Sequence, residues 1–130
     1  MQYQTETKEK FTVIKILDNL LSSNLVPELA SITGAVLSQN PKNLVLNLEK
    51  VAQWDLPIIE QLAKSQELFY DNNASFVICC LSEPLENTLE ATDFFDIMNT
   101  TPTESEAWDI VQMEEIEREL LDGDDMEFSN

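Results

Sequence analysis

The apolar and polar positions along the chain alternate between short strand-like runs and longer segments with helical spacing. Three apolar runs, rich in β-branched, aromatic or leucine side chains, lie at residues 11–17, 43–51 and 75–82. A polar run at 2–8 has the weak alternation of an edge strand. The segments after the three apolar runs place apolar residues three and four positions apart, so each predicts a helix with one buried face.

Each of these helices has a start signal in the sequence. Ser23 or Asn24 is suited to cap the first helix, and Pro27 lies in its first turn, where proline is tolerated. Asp55 is suited to cap the second helix, and Pro84 starts a shorter third one.

The remaining segments predict a turn, one more strand and one more helix. Residues 18–24 are interpreted as a turn-like connection, and residues 94–99 (FFDIMN) favour a short last strand. Thr103, with Glu106 three positions later, forms a capping box. It predicts a final helix that ends at Gly123.

The resulting order, ββαβαβαβα, predicts an α/β fold. Strands alternating with crossover helices favour a mixed, mostly parallel sheet of four or five strands with about four helices. The run at 75–82 is almost wholly apolar, so it is predicted to be covered on both faces. A chain of 130 residues suits one domain, which we place at 1–121, with an acidic, disordered tail at 122–130.

The charge balance is strongly acidic, with 25 acidic and 7 basic residues and a net charge of −18. Nucleic acid and anionic lipid are poor partners for such a chain, because binding them requires basic groups that displace counterions. Residues 102–130 carry eleven acidic groups and one basic group, Arg118. This region is interpreted either as a solvated helix face or as a surface for a basic partner.

Several kinds of catalytic and cofactor site lack their residues. The chain has no histidine, which removes the commonest general base and transition-metal ligand. The two glycines, Gly34 and Gly123, are too far apart for a phosphate-binding loop or a dinucleotide fingerprint. The sequence therefore predicts a protein that is not an enzyme and binds no cofactor or metal.

The two cysteines, Cys79 and Cys80, are adjacent and fall in the apolar run at 75–82. Both are predicted to be small buried apolar residues, with a redox pair as the alternative. No apolar run reaches the length of a membrane span, and the first ten residues have no apolar signal core. A cytoplasmic location is therefore expected.

Three strings, in this order and spacing, resemble the STAS family, the fold of anti-sigma factor antagonists. They are NLVLNLEKV followed closely by Asp55, SFVICCLS followed by EPLENTLEATDF, and TESEAW at the start of the last helix. The resemblance covers about residues 2–120. It implies a STAS-like fold and a regulatory protein-interaction module, whose partner would be an anti-sigma factor or a kinase-type regulator.

The chain departs from the family pattern at the start of the second helix. Regulatory members carry an Asp-Ser-Ser-Gly motif there, and a partner kinase phosphorylates the second serine, which releases the partner. The corresponding residues here are Asp55, Leu56, Pro57 and Ile58. Pro57 cannot accept a phosphate, so the resemblance implies no phosphorylation at the usual position. Asn47 stands where the family often has aspartate.

The first hypothesis is therefore constitutive binding of a protein partner through Asp55, Leu56, Pro57 and Ile58. The last three of these would form an exposed apolar patch. In the competing interpretation, Ile58 or Ile59 packs inward and Pro57 alone is exposed.

Three other hypotheses remain open. One is a small-ligand sensor or lipid-transport accessory subunit, which would use the crevice at the carboxyl ends of the strands. Another is a homodimer that pairs through an edge strand. Ser65 and Thr88 are alternative hydroxyls for phosphorylation, although both are predicted to lie in helix interiors.

Overall fold

A computed structural model describes the backbone of residues 1–128 and the side chains of residues 1–121. The strands of this part of the chain are β1 (Tyr3–Thr7), β2 (Thr12–Ile16), β3 (Leu20–Leu21), β4 (Leu44–Asn47), β5 (Gln53–Trp54), β6 (Phe76–Cys79) and β7 (Thr100–Thr101). Its helices are α1 (Val26–Val36), α2 (Leu56–Asp71), α3 (Glu83–Glu90) and α4 (Glu104–Phe128). Short 3-10 turns at Ser23–Leu25 and Phe95–Ile97 precede α1 and β7.

The main sheet has five strands in the order β1-β2-β4-β6-β7. β1 is an antiparallel edge strand on β2, and the other neighbours pair in parallel. The predicted α/β fold with a mixed, mostly parallel sheet is confirmed. All four residues of β6 are buried, which confirms the prediction for the run at 75–82.

The two faces of the sheet bury different amounts of apolar surface. Alternating residues of each strand point to opposite faces, so Leu44 and Leu46 join one cluster and Val45 joins the other. Among the described residues, the first cluster holds 21 buried apolar side chains and includes residues of α1, α2 and α3. The second holds seven and receives Ala107 and Val111 from α4.

Two of the short elements differ from the prediction. Residues 18–24 contain β3, which pairs in parallel with β5, so the turn-like interpretation was incomplete. Residues 94–99 hold a 3-10 turn in place of the predicted strand. The edge of β6 pairs instead with β7 and the residue before it. Ile78 N–H donates to Asn99 O at 2.9 Å, and Cys80 N–H donates to Thr101 O at 3.2 Å.

The predicted start of α1 agrees with the structure, but the predicted capping residue does not. Ser23 and Asn24 lie in or against the 3-10 turn that precedes the helix, so neither caps α1. The residue before α1 is Leu25, which makes no side-chain capping bond. Pro27 lies in the first turn, as predicted.

The last helix starts as predicted and ends later. Glu106 N–H donates to Thr103 Oγ1 at 3.2 Å, which confirms the Thr103 cap. The helix continues to Phe128, so the predicted end at Gly123 was wrong. A glycine in a helix interior is unfavourable by about 1 kcal/mol relative to alanine, which neighbouring helix formers can offset. The separate tail at 122–130 stays a prediction, since its last two residues lie outside the described part of the chain.

Candidate functional site

The start of α2 is held in place by the pairing of two short strands. Leu21 and Trp54 are register partners in the parallel pair of β3 and β5. Beyond the pair, Asp55 N–H donates to Leu21 O at 3.0 Å. The backbone immediately before α2 is therefore anchored to a segment more than 30 residues earlier in the chain.

The carboxylate of Asp55 strengthens this anchor. Its Oδ2 accepts hydrogen bonds from Ser23 N–H at 2.7 Å and from Ser23 Oγ at 3.0 Å. Asp55 occupies the N-cap position of α2, as predicted, but its side chain makes no capping hydrogen bond to the helix. The first turn uses the main chain instead, with Ile58 N–H donating to Asp55 O at 3.0 Å. Asp55 thus joins the start of α2 to the turn before α1.

Trp54 fixes the same junction from the α3 side. The indole is buried, and its Nε1–H donates to Thr88 Oγ1 at 2.5 Å. Thr88 Oγ1 in turn donates to Leu85 O at 2.9 Å, so this hydroxyl is fully committed. Ser65, the other alternative hydroxyl, is 3% exposed and packs near Thr33. Ser65 is therefore buried, whereas Thr88 is an exposed residue whose hydroxyl accepts one hydrogen bond and donates another.

The exposed part of the α2 start is smaller than predicted. Leu56 is 51% exposed and Pro57 is exposed, whereas Ile58 is completely buried and Ile59 is 2% exposed. Helical spacing places Ile58 and Ile59 with Leu62 on the inward face, so Ile58 belongs to the core and cannot line an exposed patch. We call the remaining pair, Leu56 and Pro57, the α2 patch.

Asn47 connects the end of β4 to the start of α4. The side chain is 6% exposed, its Nδ2 donates to Glu104 Oε1 at 3.2 Å, and its Oδ1 accepts from Glu49 N–H at 2.9 Å. An aspartate at this position would face the Glu104 carboxylate with a second negative charge and no donor. The amide at 47 is therefore matched to Glu104.

A cleft of about 1060 Å³ opens at the carboxyl ends of β2, β4, β6 and β7. Its lining includes Asn47 and Glu104 and an ion pair in which Lys15 Nζ lies 2.7 Å from Glu49 Oε1. The hydrogen bond between the two raises the pKa of Lys15 and lowers the pKa of Glu49. The buried Oγ of Ser82, at the edge of this cleft, has no hydrogen-bond partner among the described residues.

The two cysteines differ from the prediction that both are buried. Cys79 is completely buried, and burial raises the pKa of its thiol. Cys80 is half-buried and lines the cleft. Its φ of 67° is left-handed, so the alternation of strand side chains stops at Cys79 and the two sulfurs lie 3.3 Å apart.

Sequence reasoning found Asp55, Leu56 and Pro57 but missed the residues that position them. Ser23 was seen as a helix cap, and the Trp54–Thr88 hydrogen bond was not foreseen. The available signal was the pair Leu20–Leu21, two apolar residues in an otherwise polar segment that could have suggested a short strand. Within residues 1–128, no helix combines the length and apolar content that crossing a bilayer requires.

The fold is shared with solved structures of low sequence identity. The chain is similar to an anti-sigma-factor antagonist (STAS) domain protein from Planctomyces limnophilus, with 21% identity, a TM-score of 0.70, and coverage of 81% of this chain and 93% of that one. It is also similar to an anti-sigma factor antagonist from Mycobacterium paratuberculosis, with 19% identity, a TM-score of 0.74, and coverage of 85% and 93%.

A third similar structure is the murine anion transporter Solute Carrier 26 family member A9. The identity is 13%, the TM-score is 0.70, and the match covers 83% of this chain but only 18% of the transporter. A comparison with curated proteins gave no match. The family model for the STAS domain matches residues 2–107, which is most of the sequence, and the chain therefore belongs to the STAS domain family.

Proposed function

We propose that the chain is a non-catalytic protein-interaction module, resembling an anti-sigma factor antagonist, that binds a regulatory protein through the α2 patch. The observation that carries the proposal is the exposure of Leu56 and Pro57 beside hydrogen-bonded supports, the Asp55–Ser23 contact and the buried Trp54. An exposed apolar pair on a fixed backbone loses little conformational freedom on binding. The expected partner is an anti-sigma factor or a kinase-type regulator in the cytoplasm.

We further propose that this binding is constitutive. A phosphate at the start of a helix changes the local charge by nearly two units, which is how such a helix start can be switched. Pro57 has no hydroxyl, and its ring holds φ near the helical value. The α2 patch therefore has one chemical state at the position where relatives have two. Asp55 holds the start of α2 in position, because its carboxylate accepts two hydrogen bonds from Ser23.

The α2 patch is tested by affinity capture from the native cell with the full chain and two variants. Leu56→Asp places a charge in the patch, and Leu68→Asp places the same charge on the same helix at a leucine of similar exposure, 47% against 51%. The wild type and Leu68→Asp are expected to retain a common partner that Leu56→Asp loses. A partner retained by Leu56→Asp, or lost equally by both variants, would contradict the proposal.

The absence of a switch is tested in the same preparation by mass spectrometry of phosphorylation sites. The proposal expects no phosphate in residues 55–71. A stoichiometric phosphate on Ser65 or Tyr70, the two hydroxyl-bearing residues of this helix, would show that regulation has moved along α2 and would refute constitutive binding.

A second candidate function is supported by the cleft of about 1060 Å³. Its lining carboxylates, Glu49 and Glu104, disfavour anionic ligands such as nucleotides and lipid phosphates, and Lys15 is already paired with Glu49. The ligand of a sensor or transport accessory subunit would therefore be neutral or cationic. Titration of the chain with nucleotides, lipids and polyamines, followed by NMR, distinguishes this function. Shifts around Cys80 and Ser82 with a polyamine alone would favour it.

A further inference from the structure

The outward face of α4 carries a row of exposed apolar side chains. Met113, Ile116 and Leu120 are 60%, 55% and 61% exposed. Their spacing of three and four residues places them on one side of the helix, about opposite the buried Ala107 and Val111. We call these three residues the α4 stripe.

The core does not account for the α4 stripe. α4 packs on β4 and β6 through its other side. At Arg118 the helix reaches the amino ends of these two strands, where the guanidinium donates to Ser75 Oγ at 3.3 Å and to Asn43 Oδ1 at 3.4 Å. The residues after Arg118 extend past these strand ends, and Leu121 is 65% exposed. A contiguous apolar row in this position is typical of a surface that another molecule covers.

The charges beside the α4 stripe indicate the charge of the molecule that would cover it. The exposed Glu117 and Glu119 flank the three apolar residues, and Arg118 is turned toward the sheet. A second copy of the chain would place the same carboxylates against one another, which is unfavourable for a chain of net charge −18. A partner with lysine or arginine on both sides of an apolar strip would instead be complementary.

We propose that the α4 stripe docks a basic amphipathic helix of a partner protein. Apolar residues of that helix, repeated every three and four positions, pack between Met113, Ile116 and Leu120, as in two-helix packing. Lysine or arginine at the flanking positions faces Glu117 on one side and Glu119 on the other. This surface lies on the opposite face of the sheet from the α2 patch, so the chain would hold two protein segments at once.

The test uses a defined probe: a fluorescent synthetic peptide of about 20 residues with leucine at the 3-4 positions and lysine at the flanking ones. Anisotropy is measured with the full chain, with the double variant Ile116→Gln/Leu120→Gln, and with Leu68→Gln as the exposed-leucine control. The wild type is expected to bind the probe more weakly as salt rises, because rim charges are screened. The double variant should bind at least about tenfold more weakly and Leu68→Gln within about twofold.

Several results would overturn the proposal. They are no binding by the wild type, equal binding by the double variant, or equal binding of a control peptide with serine in place of leucine, which would show attraction by charge alone. A concentration-dependent dimer that the double variant abolishes would assign the stripe to a second copy. Leu56→Asp should bind the probe as the wild type does, so failure at α4 is distinguishable from failure at α2.

Discussion

The two faces of the sheet differ in how many apolar side chains they bury. The face that buries more contributes most of the core, and the other leaves more of its helix available for contact. The α1–α2 face buries 21 described apolar side chains, including the stacked rings of Phe69 and Phe76, whose centroids are 5.2 Å apart. The α4 face buries seven. Its aromatic pair, Phe11 and Trp108, has centroids 5.4 Å apart, and the half-buried tryptophan lies under Lys8 Nζ.

The comparison indicates how one small domain can combine a stable core with exposed apolar surfaces for binding. The α1–α2 face supplies a fixed base for the α2 patch of Leu56 and Pro57. On the α4 face, one helix covers the strands with Ala107 and Val111 fully buried, and it leaves Met113 and Ile116 exposed. We therefore expect core changes to cost most on the α1–α2 face.

The largest effect is expected for Phe76→Ala. The side chain is completely buried and stacks on Phe69, so its removal leaves a cavity in the core of the α1–α2 face. The free energy of unfolding should fall by about 3–5 kcal/mol, measured by urea denaturation. A loss below about 1 kcal/mol would show that the α1–α2 face can close around the cavity. It would contradict the expectation that core changes cost most on this face.

A smaller loss is expected for Val111→Ala on the α4 face. The valine is completely buried but contributes fewer carbons, so the free energy of unfolding should fall by about 2 kcal/mol in the same assay. The α2 patch should keep its partner, since the patch rests on the other face. Loss of that partner would mean that the two faces are coupled.

Next in size is Asp55→Ala. This change removes the acceptor for Ser23 N–H and Ser23 Oγ. Because Ser23 is exposed, water can bond the freed donors, and the free energy of unfolding should fall by about 0.5–1.5 kcal/mol. Asp55→Asn keeps an acceptor oxygen and serves as the control. If hydrogen exchange in residues 20–25 is unchanged in Asp55→Ala, the proposed anchor between the two segments is absent.

The smallest effect is a pH-dependent one at the ion pair of Lys15 and Glu49. Because the pair lowers the pKa of Glu49 from its ordinary 4.5, it stabilises the folded chain above that pH. That contribution is lost as the pH falls through the lower, folded-state value. Glu49→Gln should therefore melt below the wild type at pH 7, and the two melting temperatures should converge as the pH falls through the folded-state pKa of Glu49. A difference that persists at the acid end would come from packing.

Periodic features of the sequence were sufficient to predict most of the fold. The apolar runs of β2, β4 and β6 and the helical spacing of α2 each extend over several residues, so the signal accumulates. β3 and β5 have two residues each, which is too short for any period to appear, and the last strand was placed too early for the same reason.

The site was predictable in position but not in its supports. Asp55 and Pro57 stand out because a family pattern can be compared with them residue by residue. The Asp55–Ser23 hydrogen bonds join segments 32 residues apart, and the left-handed backbone of Cys80 depends on the chain around it. The burial of Ile58 follows from where α2 lies on the sheet, so helical spacing alone left open which isoleucine faced inward.

The most direct test of constitutive binding at the α2 patch is a calorimetric titration of the captured partner against Pro57→Glu and Pro57→Ala. Glutamate adds a negative charge where relatives carry their phosphate, and alanine removes the ring without adding charge. We predict binding at least about tenfold weaker for Pro57→Glu and within about threefold of the wild type for Pro57→Ala. Equal binding by Pro57→Glu and the wild type would contradict the assignment of partner binding to the start of α2.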